Sequence, residues 1–284
     1  MTNEQLFYSI IGAIAFLLAV YWSLKRWQLH RALRRPFPDS WHAILEQRLP
    51  PYRHLPLELR EQLKQLVKMF IYEKDFIGCA GQEITDEIRV TIAAGACLLL
   101  LNRTTNEYSD LHWIYVYPSA FIARREMQDE AGVISEDRVD LLGESWSNGK
   151  VILSWDDVER GVGDFTDGRN VLLHEFAHQL DHESGITNGA PILRSSNTGE
   201  NAYNAPYKKW ASVFASEFAQ LQRDVERGEQ NLLDHYGATD PAEFFAVATE
   251  TFFEKPVEMQ THHAALYNEL KNYYRLDPAQ WGRT

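Results

Sequence analysis

From Gln5 to Leu24 the chain runs for twenty positions without a charged residue, reading QLFYSIIGAIAFLLAVYWSL. At about 1.5 Å per residue, a helix of that length covers the roughly 30 Å hydrocarbon core of a bilayer. Tyr8, Tyr21, Trp22 and Trp27 place aromatic rings near both interfaces, so these residues favour a single membrane anchor. A cleaved signal peptide would carry a basic region before the apolar stretch and a small-residue cleavage site after it. Here Glu4 precedes and Lys25-Arg26-Trp27 follows. Lys25, Arg26, Arg31, Arg34 and Arg35 all follow the run and no Lys or Arg precedes it. The expectation is therefore a single-pass protein of the cytoplasmic membrane, its body facing the cytoplasm.

Across the 284 residues, 28 Lys and Arg stand against 40 Asp and Glu, a formal charge of −12. Residues 1–35 hold five of the basic residues and one of the acidic ones, so the remainder has 23 against 39, or −16. An acidic body argues against direct binding of nucleic acid, whose phosphates call for a basic patch. Two cysteines, Cys79 and Cys97, make neither a disulfide framework nor a zinc quartet, which fits a reducing compartment. The expected organisation is an anchor over residues 1–24, a basic and proline-containing linker over 25–40, and one domain over 41–284.

Within that domain, Leu59, Leu63, Leu66, Val67 and Phe70 recur at helical spacing, predicting a helix over Pro56 to Glu73. Val90 to Leu101 is apolar but only twelve residues long, which suits a buried element and not a second span. His112 to Tyr117 reads as a strand. Val139 to Trp146 and Lys150 to Trp155 read as a hairpin joined through Ser147-Asn148-Gly149. Helices are expected over Asn170 to His182, Ala205 to Arg227, Pro241 to Phe253 and Thr261 to Tyr273. Strands followed by helices indicate an α+β domain with a small sheet.

The sharpest chemical signal is His174-Glu175-Phe176-Ala177-His178, an HExxH pattern beside the apolar Val171-Leu172-Leu173. Residues four apart on a helix share a face, so the two imidazoles can converge on one ion while Glu175 reaches a metal-bound water. Zinc is the ion this pattern leads one to expect. A catalytic zinc needs a third protein ligand. Ser184 stands where a metzincin would place a histidine, which excludes that subclass. His182 lies a further turn along the same straight helix and is poorly placed to surround the same ion. Glu243 and Glu250, seven residues apart on a later helix, are the better candidates, and spacing alone does not choose between them.

The stretch Asp234-His-Tyr-Gly-Ala-Thr-Asp-Pro-Ala-Glu-Phe-Phe-Ala-Val-Ala-Thr-Glu-Thr-Phe-Phe253, with His174-Glu-Phe-Ala-His-Gln-Leu-Asp181, resembles the Mlc titration factor A family of zinc metallopeptidases. The resemblance extends over about Trp41 to Pro278, through Ile114-Tyr-Val-Tyr-Pro118, Gly143-Glu-Ser-Trp146 and Val151-Ile-Leu-Ser-Trp155. It implies a zincin-like domain, Glu243 as the third zinc ligand, and a Tyr236 that faces the site and helps hold the transition state. Glu250 then becomes a supporting carboxylate. The family takes its name from binding a sugar-responsive transcriptional repressor, which the resemblance makes a candidate partner here.

On this reading His174, His178 and Glu243 hold zinc, Glu175 is the general base, Tyr236 donates to the oxyanion, and the substrate is a peptide or protein. Asp181, one turn past His178, is a second candidate for supporting a ligand imidazole. The alternative function is a membrane-tethered regulator that sequesters a cytoplasmic transcriptional regulator without essential proteolysis. Glu175 weighs against it, because a purely structural zinc needs four closed ligands and no base.

Overall fold

The computed structural model describes residues 3–103, 108–119, 121–128, 134–141, 143–146, 149–183, 185–193 and 200–281. In chain order these form α1 (Asn3–Arg34), α2 (Asp39–Arg48), α3 (Leu57–Glu73), β1 (Asp75–Gly78), α4 (Asp86–Leu98), β2 (Trp113–Tyr117), β3 (Phe121–Gln128) and β4 (Ile134–Leu141). Then come β5 (Gly143–Trp146), β6 (Lys150–Ser154), α5 (Trp155–Gly163), α6 (Val171–His182), α7 (Glu200–Arg227), α8 (Pro241–Glu254), α9 (Pro256–His262) and α10 (Ala264–Tyr274). The protein is mostly helical, with a small sheet in the order β1-β2-β6-β5.

The first three strands of that sheet are parallel. Asp75 pairs with Trp113 through to Gly78 with Val116, and Trp113 pairs with Lys150 through to Tyr117 with Ser154. Parallel neighbours need a crossover, and α4 lies in the connection from β1 to β2. The expected order of strands before helices therefore holds only loosely, since α2, α3 and α4 are interleaved with or precede the sheet. The expected hairpin is present as β5 and β6, antiparallel from Gly143 opposite Leu153 to Trp146 opposite Lys150. Ser147 and Asn148 of its turn lie outside the described residues. The single strand expected over Val139 to Trp146 is two: Val139 to Leu141 end β4, which pairs with β3 in a separate antiparallel ribbon.

The apolar run at Val90 to Leu101 builds α4 and its C-terminal turn, every residue of it buried. Thr85 caps the helix, its hydroxyl accepting from Ile88 N at 3.3 Å. Gly95 brings α4 close to α6, because a Cβ there would lie 2.9 Å from Leu172 Cδ1. Phe176 of α6 packs edge-on against Phe70 of α3 and Tyr108, with ring centroids 5.8 and 5.3 Å away. Each such buried aromatic or aliphatic side chain contributes about 1.5–3 kcal/mol, so α6 is held chiefly by its apolar face.

Every residue of α8 from Phe244 to Glu254 is buried, the signature of a helix surrounded by core on all sides. Any carboxylate on it must then find partners inside the protein. The helix expected over Thr261 to Tyr273 is instead divided: α9 ends at His262, His263 breaks the helical backbone, and α10 begins at Ala264. The break is held by His263 Nδ1 against Glu217 Oε2 of α7 at 2.8 Å.

At the N-terminus, α1 runs without interruption through both the apolar run and the basic residues as far as Arg34. Among the described residues it is the one helix long and apolar enough to cross a membrane, over Ile10–Arg34, with a mean hydropathy of 1.4 in its most apolar 18-residue stretch.

Candidate metal centre

Two helix N-termini are built so that their side chains face each other. Asn170 caps α6, its Oδ1 accepting from Leu172 N at 3.1 Å and Leu173 N at 3.3 Å. With Leu172, Leu173, Phe176, Ala177 and Leu180 committed to the core, the turn-spaced His174 and His178 share the remaining face. Asp240 caps α8, its Oδ1 accepting from Ala242 N at 2.8 Å and Glu243 N at 3.0 Å, and Pro241 fills the first helical position. Glu243 is thereby fixed in the first turn, beside the α6 histidines.

The three side chains meet at single atoms. Glu243 Oε2 lies 3.0 Å from His174 Nε2 and 3.5 Å from His178 Nε2, and the two ring nitrogens are 3.2 Å apart. A tetrahedral cation with bonds of 2.0–2.1 Å separates its ligand atoms by roughly 3.3 Å, so this triangle is one face of such a shell. His174 Nδ1 is engaged by Glu250 Oε1 at 2.8 Å, which in the neutral imidazole leaves the lone pair on Nε2, aimed into the triangle. Glu243 Oε2 is buried, with the ring nitrogens of His174 and His178 as its close polar neighbours. Three electron-pair donors converging at van der Waals distance repel one another unless a cation or a proton sits among them. The residues fit a metal ion, and His174, His178 and Glu243 could hold one.

The electrostatics point the same way. Burial disfavours the charged form of His174, but Glu243 and Glu250 outweigh it and raise its pKa well above the usual imidazole value. Burial likewise pushes the Glu243 carboxyl up, yet the two histidines hold it down at about 2. The pocket is one that stabilises positive charge.

Behind His174 the carboxylates of α8 clamp the entry to α6. Glu250 Oε2 accepts from Asn170 N, Glu254 Oε1 accepts from Asn170 Nδ2 at 3.0 Å, and Glu254 Oε2 accepts from Gly168 N at 2.9 Å and Arg169 N at 3.1 Å. Burial pushes Glu254 up to about 8 and raises Glu250 as well. A carboxylate that accepts the far proton of a ligand imidazole fixes its tautomer and sharpens its basicity. Glu250→Gln is accordingly expected to weaken metal binding by about 10–100-fold while leaving the ligand set intact; a competition titration against a chromogenic chelator would reveal it, and an unchanged affinity would remove Glu250 from this role.

Glu175 is buried beside His174, and its charge acts on both His174 and Tyr236. Tyr236 sits in a single 3₁₀ turn (His235–Ala238) capped by Asp234, whose Oδ1 accepts from Tyr236 N at 2.9 Å while Arg169 Nε holds Oδ2 at 2.7 Å. The Tyr236 ring centroid is 6.0 Å from that of His174. It lies on the open side of the pocket, 57% exposed. Partial burial and the charges of Glu243, Glu175 and Asp240 push the phenol up to about 12, so it keeps its proton at neutral pH.

Other candidates fall elsewhere. His182 Nδ1 meets Thr187 Oγ1 at 3.1 Å and is not part of the cluster. Asp181 accepts from Gly189 N at 2.6 Å through Oδ2, and burial raises its pKa against the opposing pull of the loop amides and His178. Trp210 Nε1 donates to Gly189 O at 2.9 Å, and the loop is thereby pinned over the start of α8. Gly189 has φ +74°, and a Cβ there would stand 2.3 Å from Pro241 O. Gly189→Ala is expected to cost on the order of 2 kcal/mol or more, from left-handed backbone and a backbone clash together, measured as a fall in denaturant midpoint. A reading from sequence does not reach Asn170 or Glu254 as parts of the site. The asparagine before an apolar helical run is a legible cap, but its bonds to α8 are not.

Comparison with known proteins adds an independent line. The family described as glucose-regulated metallo-peptidase M90 matches residues 24–275. An uncharacterized protein of Synechocystis sp. is 42% identical over 270 residues, covering 95% of each chain. Proteins named Mlc titration factor A are 30% identical in Klebsiella pneumoniae, over 84% of this chain and 86% of that one, and 30% identical in Cronobacter sakazakii, over 88% and 89%.

Proposed function

The chain belongs to the glucose-regulated metallo-peptidase M90 family, and on that premise we propose that it is a zinc-dependent peptidase tethered by α1 to the inner face of a membrane. The observation that carries the reading is the triangle of His174 Nε2, His178 Nε2 and Glu243 Oε2, with edges of 3.0, 3.2 and 3.5 Å. Two nitrogens and one carboxylate oxygen are a donor set suited to zinc, and three protein ligands leave a position open for chemistry.

Zinc held there supplies Lewis acidity and a water of lowered pKa. Glu175 takes the proton of the attacking water and delivers it to the leaving amine. The Tyr236 hydroxyl, protonated at neutral pH, donates a hydrogen bond to the oxygen of the scissile carbonyl as negative charge develops on it. Glu250 holds the His174 ring in the orientation and tautomer that directs Nε2 at the metal. The outermost strand of the sheet, β5, packs beside α6 and offers an edge on which an extended peptide can be aligned. Sidedness rests on the five basic residues that follow the apolar run of α1.

The names of the relatives favour one second reading. Proteins called Mlc titration factor A are named for titrating a regulator, so this chain is a candidate to bind a cytoplasmic transcriptional regulator, with or without cleaving it. The deciding experiment uses the purified full chain and a library of unrelated peptides. Cleavage that stops on chelation and returns with zinc supports the peptidase; a chain that binds zinc and a regulator but yields no product from any peptide leaves sequestration as the function.

A further inference from the structure

The basic end of α1 is docked on the body. The Tyr72 hydroxyl of α3 reaches Gln28 Oε1 at 3.4 Å and Lys25 O at 3.5 Å, and Lys68 Nζ donates to Leu33 O and Arg35 O at the C-terminal end of the helix. Leu29, Ala32 and Leu33 are half-buried in this part of the helix. The thirty-two residues of α1 make a rod of about 48 Å at 1.5 Å per residue, against a hydrocarbon core of roughly 30 Å. About twelve residues therefore stand outside the core, and at the first cation, Lys25, the Tyr72 hydroxyl of α3 reaches the helix backbone. On the tethered reading of α1, this places the body at the membrane surface, at the level of the lipid headgroups.

A different face of the same segment is arranged for something else. Trp27, His30, Arg31 and Arg34 have the spacing that puts four side chains on one helical face. All four are exposed and line one open groove on the surface of the helix. The Arg31 guanidinium lies over the Trp27 indole, 5.5 Å from the ring centroid. An indole at the headgroup level with guanidinium forks beside it is a fit for a phosphate carried on an apolar tail. The chain beyond Arg35 carries a formal −16 and is repelled by an anionic leaflet, so the cationic face supplies the local complement that lets an acidic body sit there.

We propose that Trp27, His30, Arg31 and Arg34 form a binding site for the phosphate headgroup of an anionic phospholipid in the leaflet facing the body. The inference rests on the tethered reading of α1 and deepens it: the helix and the bound lipid together fix the height and tilt of the body over the membrane. A topology signal needs only a count of cations; it does not need them gathered on one face beside a tryptophan.

The test uses the full chain purified in neutral detergent, mixed with equal amounts of phosphatidylglycerol and phosphatidylcholine, with bound lipid counted by native mass spectrometry. Phosphatidylglycerol is expected to be retained in preference. Arg31→Gln with Arg34→Gln is expected to weaken that retention by roughly tenfold or more. Lys25→Gln with Arg35→Gln, an equal loss of charge off this face, is expected to leave most of it. Equal losses in both pairs, no preference for the anionic lipid, or displacement by low millimolar inorganic phosphate would each overturn the lipid site. Alkaline extraction of membranes separates the two inferences. Release of the wild-type chain sinks the tether and the lipid site together, whereas retention of all three proteins with no lipid preference sinks the lipid site alone.

Discussion

Replacing His178 with alanine is expected to reduce bound zinc from about one ion per chain to near zero after dialysis, and Glu243→Ala should do the same. Four-ligand zinc sites bind with apparent free energies of about 10–16 kcal/mol, so one ligand accounts for roughly 3–4 kcal/mol, or a hundred- to thousandfold in affinity. The loss should not unfold the chain. The residues around the two side chains belong to helices held by Phe176, Phe244, Phe245 and Phe252, all within 1% of complete burial. Metal analysis paired with circular dichroism reads both quantities. Full metal retention in folded Glu243→Ala would exclude it as a ligand and shift attention to Glu250, although Glu250 already engages the opposite side of the His174 ring.

Glu175→Gln should give the opposite pattern, with zinc kept and turnover lost. The amide preserves the volume of the buried side chain but cannot accept the water proton, and removing a positioned general base costs about 10²–10⁴-fold in rate. Because Glu175 is not among the three atoms of the triangle, metal content should stay at the wild-type level. Activity within a few-fold of wild type would show that another group, or bulk solvent, takes the proton.

Much of this centre was legible before any coordinates. The four-residue spacing of His174 and His178 needs only helical geometry to put both rings on one face, and Asn170 before an apolar run marks where that helix starts. The choice between Glu243 and Glu250 was not legible from periodicity, since both point to the same side of α8. What separates them is depth along the helix: Glu243, fixed at the first turn by the Asp240 cap, meets the Nε2 atoms, while Glu250, two turns on, meets Nδ1 of the same His174. Asp181, one turn past His178, also binds a loop amide from Gly189, a contact that its place on the helix does not announce.

The fold divides along the same line. Local signals sufficed where a segment's environment follows from its own residues: the uncharged run of α1, the buried α4, the β5–β6 hairpin and the helices bearing the metal candidates. They failed where neighbours decide. Parallel pairing of β1, β2 and β6 depends on strands far apart in the chain, and a break at His263 depends on Glu217 of another helix. A sequence determines which side chains share a helical face and which segments avoid water, because those are properties of one element. Only the tertiary structure could decide which carboxylate meets which ring nitrogen and which helical face of α1 is turned to the body. Those outcomes turn on distances of a few ångströms between elements, set by how the cores between them pack.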